Sequence, residues 1–330
     1  MRVMVSGGAG YVGSVSVERL LAAGHHVIVL DDLTTGHLGA VPGGAQLVRG
    51  SFGDMEATAR TLAEQRIEAV LHCGAKSLVG ESIADPAAYY AANVVGGVAL
   101  LEAMRRAGVG RLVFSSTAAV YGTPEAVPIT EDAPLRPINP YGETKRTFEG
   151  ALRWYGSAYG IRSVCLRYFN VAGASERNGE DHEPETHLIP NILRAAAGGP
   201  GLHLFGDDYP TPDGTCIRDY IHVEDLADAH LLALEATAPD DRRTDAQLIC
   251  NLGSEGGFSV REVLAVSQAV VGSEIPHTIG ARRAGDPAVL VASAARAREV
   301  LGWHATRPTL EEMIGSAWAW RQRHPIGYGG

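Results

Sequence analysis

A chain of 330 residues exceeds the roughly 250–300 at which one hydrophobic core tends to divide, so two lobes are expected. Its 45% hydrophobic and 20% charged residues exclude a disordered regulator, and its formal net charge of -10 disfavours binding to nucleic acid or an anionic membrane surface. No apolar run approaches the ~18 residues of a membrane span, and the four cysteines form no CxxC pair. We therefore expect a cytosolic protein with reduced thiols.

Short apolar runs alternate with helix-like stretches through the first part of the chain. Candidate strands occupy residues 2–6, 27–30, 46–48, 69–73 and 111–115. This alternation predicts an α/β fold with a Rossmann-type, doubly wound parallel sheet. Two longer helices are expected, one over residues 86–107 and one from Pro140 to Tyr159, and the second precedes a strand over 162–168.

Beyond Asn170 the chain becomes polar and rich in glycine and proline, which predicts a second, smaller lobe of mixed α/β structure. Capping-box spacing pairs Ser259 with Glu262 and Thr309 with Glu312, each ahead of an apolar helical pattern. A surface loop is expected over 237–245. We assign residues 1–170 to the Rossmann lobe, with 217–254 returning to it, and residues 171–216 and 255–330 to the second lobe.

A glycine-rich turn, GGAGYVG at residues 7–13, directly follows the first strand and opens a helix. Glycine lets the backbone approach a pyrophosphate at the positive end of a helix dipole, although the GxxGxxG spacing is weak evidence by itself. Asp31 ends the second strand, about 20 residues further on, where a carboxylate can accept both ribose hydroxyls and repels a 2′-phosphate. Because no basic residue stands at positions 31–36, the sequence predicts NAD rather than NADP.

Tyr141 and Lys145 lie four residues apart on the second long helix, so their side chains share one face. The ammonium is expected to lower the pKa of the phenol, which at about 10 is otherwise a poor base near neutrality. A Tyr-x-x-x-Lys pair occurs often by chance, so a third group is needed. One hydroxyl of Ser115, Ser116 and Thr117 should reach the substrate at the carboxyl edge of the sheet, and we choose Thr117.

Several segments together resemble the UDP-glucose 4-epimerase family of extended short-chain dehydrogenases/reductases, over essentially the whole chain. They are the glycine turn, SSTAAVYG, NPYGETK, LRYFNVAGA, the segment from Asp208 to His230 and the closing segment from Thr309 to Tyr328. The resemblance implies that Tyr141 removes the proton of a sugar 4′-hydroxyl while hydride passes to NAD, helped by Lys145 and Thr117. A bound 4-keto sugar then turns over and takes the hydride back on its other face, so no net redox change occurs.

The resemblance also implies which residues hold the two ligands. Those for NAD are Gly7, Gly10, Tyr11, Val12, Gly13, Asp31, Asp32, Leu33, Thr34, Thr35, Gly36, Ser51, Phe52, Cys73, Gly74, Ala75, Lys76, Ser77, Tyr141, Lys145 and Phe169. Those for the UDP-sugar are Thr117, Asn170, His187, Leu188, His203, Phe205, Arg218, Arg283, Asp286 and Leu290. Arg218 and Arg283 suit two phosphates, since a guanidinium binds phosphate through paired hydrogen bonds; a surface ion pair is the alternative for each.

Certain positions depart from the family pattern. Ser51 stands where the family usually has an Asp facing adenine, and Ala92 stands where an Asn is expected before Asn93. We therefore expect weakened NAD retention. Leu290 replaces a bulky Tyr that restricts the sugar pocket in some members, so N-acetylated UDP-hexosamines are expected to be accepted as well.

Other functions can be weighed against this one. A dehydratase or decarboxylase would carry an acidic residue after Thr117, where Ala118 and Ala119 stand. A reductase would consume NADH with turnover, and a non-catalytic NAD-binding regulator would not need Thr117, Tyr141 and Lys145 intact. Within the family, a UDP-N-acetylglucosamine 4-epimerase is the alternative.

A polar cluster without recognised metal-ligand spacing follows the LRYFNVAGA run, and it comprises Asp181, His182, Glu183, Glu185 and His187. A solvated loop explains these residues equally well, so no metal is expected. Trp318 and Trp320 are expected to pack rather than to bind. The resemblance suggests a homodimer built from the helices near residues 86–107 and 141–159.

Overall fold

The computed structural model describes residues 1–239, 245–283 and 286–329. Its strands are β1 (Arg2–Ser6), β2 (His26–Asp31), β3 (Gln46–Arg49), β4 (Ala69–His72), β5 (Arg111–Thr117), β6 (Arg162–Tyr168), β7 (Asn170–Ala172), β8 (Leu202–Phe205), β9 (Ile217–Arg218), β10 (Tyr220–His222), β11 (Gln247–Leu252), β12 (Phe258–Ser259), β13 (His277–Gly280) and β14 (Val289–Leu290). The first six coincide within two residues at either end with the predicted strands. Of the surface loop expected over 237–245, residues 240–244 lie outside the described residues.

The helices alternate with these strands. They are α1 (Tyr11–Ala22), α2 (Met55–Glu64), α3 (Val79–Ala84), α4 (Pro86–Tyr89), α5 (Gly96–Ala107), α6 (Pro140–Tyr159), α7 (Leu188–Ala196), α8 (Val223–Ala236), α9 (Val260–Val271), α10 (Ala295–Leu301) and α11 (Leu310–Arg323). Helix α6 begins at Pro140 because Asn139 caps it, accepting a hydrogen bond from Gly142 N, and it ends at Gly160, whose φ of 73° suits only glycine well.

A parallel sheet in the order β11-β6-β5-β4-β1-β2-β3 forms the centre of the fold. Side chains of α1 and α8, such as Leu20 and Leu226, pack on one face of the sheet. Side chains of α2, α5 and α6, such as Leu62, Leu100 and Phe148, pack on the other face. The predicted Rossmann-type, doubly wound sheet is confirmed, and the carboxyl ends of its strands form one edge where ligands bind in such folds.

The helix expected over residues 86–107 is not uniform. Its middle, Tyr90–Val95, is a π-helical segment between α4 and α5, a form that often marks a functional position. By length and composition Pro86–Ala107 is long and apolar enough to cross a membrane, although no such span was expected from the sequence. Core helices of soluble proteins share these properties, and Leu100, Leu101 and Met104 are buried against the sheet.

A second core gathers α7, α9 and α11 with the short strands β8, β9, β12, β13 and β14 around it. Both predicted capping boxes are present, at Ser259 on α9 and Thr309 on α11. Trp320 is buried and donates its ring N–H to the carbonyl of Arg177 at 3.0 Å, so it packs as expected. Strand β9 pairs with β12 and β14, whereas β11 extends the central sheet beside β6. The lobe boundaries stay predictions.

Candidate active site

The turn between β1 and α1 is shaped for a close approach by a ligand. Gly7 has a φ of 74°, and a Cβ atom there would collide with the backbone of Gly74 at the end of β4. A Cβ atom on Gly13 would collide with the carbonyl of Gly7. Gly10, at the N-cap of α1, has no side chain to satisfy the first N–H groups of the helix. A dinucleotide pyrophosphate fits this cradle, because those N–H groups and the helix dipole attract it.

Asp31 closes the turn from the end of β2. Its Oδ2 accepts a hydrogen bond from Ala9 N at 2.9 Å and its Oδ1 accepts one from Leu33 N at 2.9 Å. Burial of the carboxyl raises its pKa. The two backbone bonds fix the carboxylate beside the glycine turn, where its remaining lone pairs can accept ribose hydroxyls. Asp31 pairs in register with Arg49, so exposed Ser51, two residues beyond, lies at the same sheet edge.

The segment after β4 is held by Asn93, for which the sequence analysis predicted no role. The Asn93 side chain is buried in the π-helical segment, accepts from Lys76 N at 2.9 Å and donates to Lys76 O at 2.9 Å. It thereby fixes the backbone of Lys76, within the segment from Cys73 to Ser77 that is assigned to NAD. Phe52 contacts the His72 ring at 4.8 Å and covers this segment from the other side. The sequence feature that could have indicated this role is a lone asparagine in a mostly apolar helix.

Of the three hydroxyls at the end of β5, the structure brings Thr117 to Tyr141. The hydrogen bond between their side chains lowers the pKa of Tyr141, against the larger effect of burial. Ser115 instead contacts the His230 ring at 3.0 Å, and Ser116 donates to Glu149 Oε1 at 2.6 Å. Thr117 also accepts from its own turn, through Ala119 N at 3.1 Å. This contact supports Thr117 among the three, and its role toward the substrate stays a prediction.

Lys145 acts on the site differently from the sequence expectation. Its ammonium donates to Ser115 O at 2.8 Å and lies 5.9 Å from the centre of the Tyr141 ring. Burial raises the pKa of Tyr141 to about 12 and lowers that of Lys145 to about 8. The expected lowering of the phenol pKa by Lys145 is therefore wrong for this structure. Desolvation is the largest effect on the pKa of the phenol, and the ammonium is hydrogen-bonded to the strand rather than to the phenol.

The buried ion pair between Glu149 and Arg167 was not predicted from the sequence. Glu149, four residues beyond Lys145 on α6, binds Arg167 of β6 through two hydrogen bonds of 2.9 and 2.6 Å. The side chains are 4% and 2% exposed. Since Glu149 also accepts from Ser116, it connects the helix that carries Tyr141 to two strands. A carboxylate on the buried face of α6 was the signal for it.

The residues assigned to the UDP end of the substrate fall into two contacting groups. Arg218 forms an ion pair with Asp286. The alternative to phosphate binding, an ion pair with a carboxylate, is therefore present in the structure, and its partner is itself a residue assigned to the substrate. Arg283 stacks 4.0 Å from the centre of the Phe205 ring, and Phe205 contacts the His203 ring at 4.7 Å. The first pair and the second group thus each offer a guanidinium for a phosphate.

The remaining assigned residues lie nearer the central sheet. Phe169 is buried and Leu290 half-buried in one apolar cluster with Val120 and Tyr121. Leu290 also pairs in register with Arg218. Asn170 donates from its side chain to Asp219 O at 2.9 Å. This arrangement places Leu290 between the segment after Thr117 and the predicted phosphate-binding arginine.

The segment that holds the polar cluster is only partly solvated: Glu183 and His187 are exposed, whereas Asp181, His182 and Glu185 are partly buried, which corrects that expectation in part. One ligating atom from each of Glu180, His182, Glu185 and His187 lies within 4.8 Å of all the others. The Glu185 side chain is 1% exposed and that of Glu180 is 11% exposed. Folding buries these carboxylates because the segment lies against the C-terminal segment, where Tyr328 N donates to Asp181 Oδ2 at 3.0 Å.

Comparisons with known proteins agree with this geometry. The model of the NAD dependent epimerase/dehydratase family matches residues 3–249. The chain is 50% identical over 331 residues to the UDP-glucose 4-epimerase of Lactobacillus helveticus, and the match covers 99% of both chains. The resemblance stated from the sequence is confirmed.

Two solved structures are similar over nearly their whole length. The crystal structure of UDP-glucose 4-epimerase from Brucella ovis in complex with NAD has a TM-score of 0.92 and 44% identity, over 96% of this chain and 97% of that one. The UDP-Glc/GlcNAc 4-epimerase from Campylobacter jejuni has a TM-score of 0.85 and 36% identity, over 98% and 99%.

Proposed function

The chain belongs to the NAD dependent epimerase/dehydratase family, and we propose that it is a UDP-glucose 4-epimerase that interconverts UDP-galactose and UDP-glucose. The observation that carries the proposal is the contact between Tyr141 and Thr117 at the carboxyl edge of the sheet, beside the glycine turn and Asp31. A hydroxyl-activating pair beside a dinucleotide cradle is what reversible oxidation of a sugar alcohol requires.

Tyr141 is the acid and base of the reaction. It takes the proton of the sugar 4-hydroxyl and later returns it, while Thr117 holds the same oxygen. Lys145 supplies positive charge within 6 Å of the ring and holds the nicotinamide ribose. Bound NAD supplies the hydride acceptor and donor at the sugar C4. Because hydride would leave C4 of the sugar alcohol and return to the opposite face of the resulting 4-keto sugar, the configuration at C4 would invert without net redox change.

We assign the binding roles along the same lines. The glycine turn and Asp31 hold the pyrophosphate and adenosine ribose of NAD, and residues 73–77 line its further course. Arg218 and Arg283 bind the two phosphates of UDP, and binding exchanges the Arg218–Asp286 ion pair for phosphate. His187, Leu188, His203 and Phe205 complete the nucleotide end. An acidic chain thereby holds an anionic substrate with local guanidinium groups.

The test is conversion of UDP-galactose to UDP-glucose, followed by chromatography of the products. We expect turnover without consumption of added NADH, and a loss of about 10²–10⁴ in kcat for Tyr141→Phe. Tyr155→Phe, on the same helix but hydrogen-bonded to Glu102, is the matched control. Stoichiometric oxidation of NADH, or unchanged activity in Tyr141→Phe, would contradict the proposal.

A second substrate class has its own support. Leu290 packs in the cluster of Phe169, and the family resemblance implies that a larger side chain at this position narrows the sugar pocket. The chain is also similar to the UDP-Glc/GlcNAc 4-epimerase from Campylobacter jejuni. We therefore propose that UDP-N-acetylglucosamine and UDP-N-acetylgalactosamine are also interconverted. UDP-xylose in a parallel incubation tests whether pentoses enter as well.

We further propose a cytosolic homodimer that acts in galactose metabolism. The supporting observation is a set of large apolar side chains left exposed on the two long helical stretches 86–107 and 140–159. They are Tyr90, Val95, Trp154 and Tyr159, with exposures of 42–67%. The four cysteines are free thiols, as a reducing compartment allows. Light scattering of the purified protein tests the dimer.

A further inference from the structure

We propose that Glu180, His182, Glu185 and His187 bind one divalent transition-metal ion, with Zn²⁺ as the expected metal. The four residues lie in the segment between β7 and α7. Glu180, His182 and Glu185 have no role in the proposed epimerase function, whereas His187 is also assigned to the UDP-sugar, so its ring would serve the metal and its backbone the substrate. Two imidazole nitrogens with two carboxylate oxygens form a ligand set that zinc accepts in tetrahedral geometry. This inference reverses the sequence expectation of no metal, because the fold gathers residues that the sequence spaces irregularly.

The geometry comes first. The four ligating atoms lie within 4.8 Å of one another. Ligands at about 2.0–2.2 Å from a tetrahedral zinc lie about 3.3–3.6 Å apart, so the cluster closes on an ion with movements on the order of 1 Å. Magnesium and calcium prefer all-oxygen shells with more ligands, so the two histidines select a transition metal.

The second observation is unsatisfied polarity inside the cluster. The Glu185 side chain is 1% exposed, yet its Oε2 has no hydrogen-bond partner. Glu180 Oε1 and His182 Nδ1 contact each other as an ion pair. A buried acceptor without a donor, as at Glu185 Oε2, is costly, and native proteins rarely leave one. A metal ion would supply the missing partner of Glu185 Oε2.

Charge balance points the same way. Among the described residues, Glu180 and Glu185 have ion pairs only with the two histidines, and neither is paired with a lysine or arginine. Buried carboxylates need a counter-charge. A divalent ion neutralises both and leaves the histidines in the neutral form that coordinates metal. The lysine and arginine side chains nearby serve other acids, as Arg194 does for exposed Glu183.

The surroundings already fix the ligands in place. Glu185 Oε1 accepts from the backbone N–H groups of Thr186 and His187, both at 2.7 Å. His182 O accepts from Arg194 of α7 at 2.8 Å, and the His37 ring contacts Asp181 O at 2.8 Å. Preformed orientation of this kind strengthens metal binding. The ion would tie the segment after β7 to His187, the N-cap residue of α7.

The test measures metal rather than turnover. Tag-free protein is stripped with EDTA, dialysed, titrated with Zn²⁺ and examined by elemental analysis, with Co²⁺ as the spectroscopic probe of coordination. We expect one zinc per chain, tetrahedral Co²⁺ absorption bands, and a melting temperature that falls with EDTA and recovers with zinc. His182→Ala and Glu185→Gln should each weaken zinc binding at least about tenfold.

Glu183→Gln is the matched control, because it removes a carboxylate of the same segment whose side chain is 86% exposed. It should bind zinc as the unaltered chain does. Less than a tenth of an equivalent of zinc in the unaltered protein, or equal losses in Glu183→Gln and Glu185→Gln, would overturn the inference. If His182→Ala does not fold, Glu185→Gln and the Co²⁺ spectrum still decide. Because zinc binding is measured without substrate, the result does not depend on epimerase activity. An inactive protein that binds one zinc would support the metal site, and an active protein that binds none would refute it.

Discussion

Lys145 donates a 2.8 Å hydrogen bond to the carbonyl oxygen of Ser115. Ser115 and Thr117 lie on the same strand, β5, so one strand end fixes both the ammonium and the hydroxyl that contacts Tyr141. The lysine is thereby held near the phenol without being hydrogen-bonded to it. The ammonium is itself buried, and burial lowers its own pKa.

This arrangement predicts an alkaline limit to activity. Burial lowers the pKa of Lys145 to about 8, so its positive charge is complete below that pH and is lost as pH rises through it. We expect kcat/KM for UDP-galactose to fall above about pH 8 with the loss of one proton. Lys145→Arg, which keeps its charge, should move the fall to higher pH. An unchanged alkaline limb in Lys145→Arg would assign the limit to another group.

Stability should decline in mild acid because of buried neutral histidines. Burial lowers the pKa of His230 to about 3, from an ordinary value of 6.5. Below pH 6.5 the unfolded chain therefore binds a proton that the folded chain does not, and stability falls until about pH 3. His230→Gln should reduce the slope of unfolding free energy between pH 4 and 6 by about 1.4 kcal/mol per pH unit.

His304→Gln, which alters an exposed side chain, is the control for removing a histidine. The measurement is urea unfolding at several pH values. A slope that His230→Gln and His304→Gln change equally would mean that burial of His230 is not the cause. His230 contacts Ser16 and Ser115, so the Gln variant keeps a polar group in place.

The Glu149–Arg167 pair should be strongly coupled. Glu149→Gln leaves a buried guanidinium without its counter-charge, and we expect a loss of about 3–5 kcal/mol in the free energy of unfolding. The double change Glu149→Met with Arg167→Met should cost less than either single change. Glu102→Gln breaks the exposed Arg105 pair and should cost under about 1 kcal/mol. Additive losses in the double variant would refute the coupling.

Ser51 predicts incomplete retention of NAD. Ser51 lies two residues beyond Arg49, which pairs in register with Asp31. Among the described residues, its hydroxyl accepts a hydrogen bond only from Gly53 N, at 3.2 Å. After extensive dialysis we expect less than one NAD per chain, measured by chromatography of the denatured protein. Ser51→Asp should raise this occupancy and Ser51→Ala should not. Full occupancy of the unaltered protein would contradict the prediction.

Leu290 sets the expected tolerance for the acetamido group. Leu290→Tyr adds a ring beside Phe169 and Arg218 and should lower kcat/KM for UDP-N-acetylglucosamine by about 10–200-fold. The effect on UDP-galactose should be several-fold smaller, since its sugar lacks the extra group. Leu290→Met, of similar volume, is the control. Equal losses on the two substrates would place the residue away from the sugar.

Sequence alone determined the features that depend on short-range pattern. The strand–helix alternation, the glycine turn with Asp31, the Tyr141–Lys145 spacing and both capping boxes are local, so residue order suffices to find them. The resemblance then supplied the reaction. The sequence also predicts the helical stretch over 86–107, but it does not predict the π-helical centre at Tyr90–Val95.

The tertiary structure decided what depends on burial and on contacts between distant segments. Desolvation is a property of the folded environment, so the pKa of Tyr141 could not be read from the four-residue spacing to Lys145. The partner of Glu149 comes from another strand, and the role of Asn93 comes from the loop after β4. Likewise, the irregular spacing of Glu180, His182, Glu185 and His187 concealed a cluster that the folded chain assembles, because ligands meet in space rather than along the sequence.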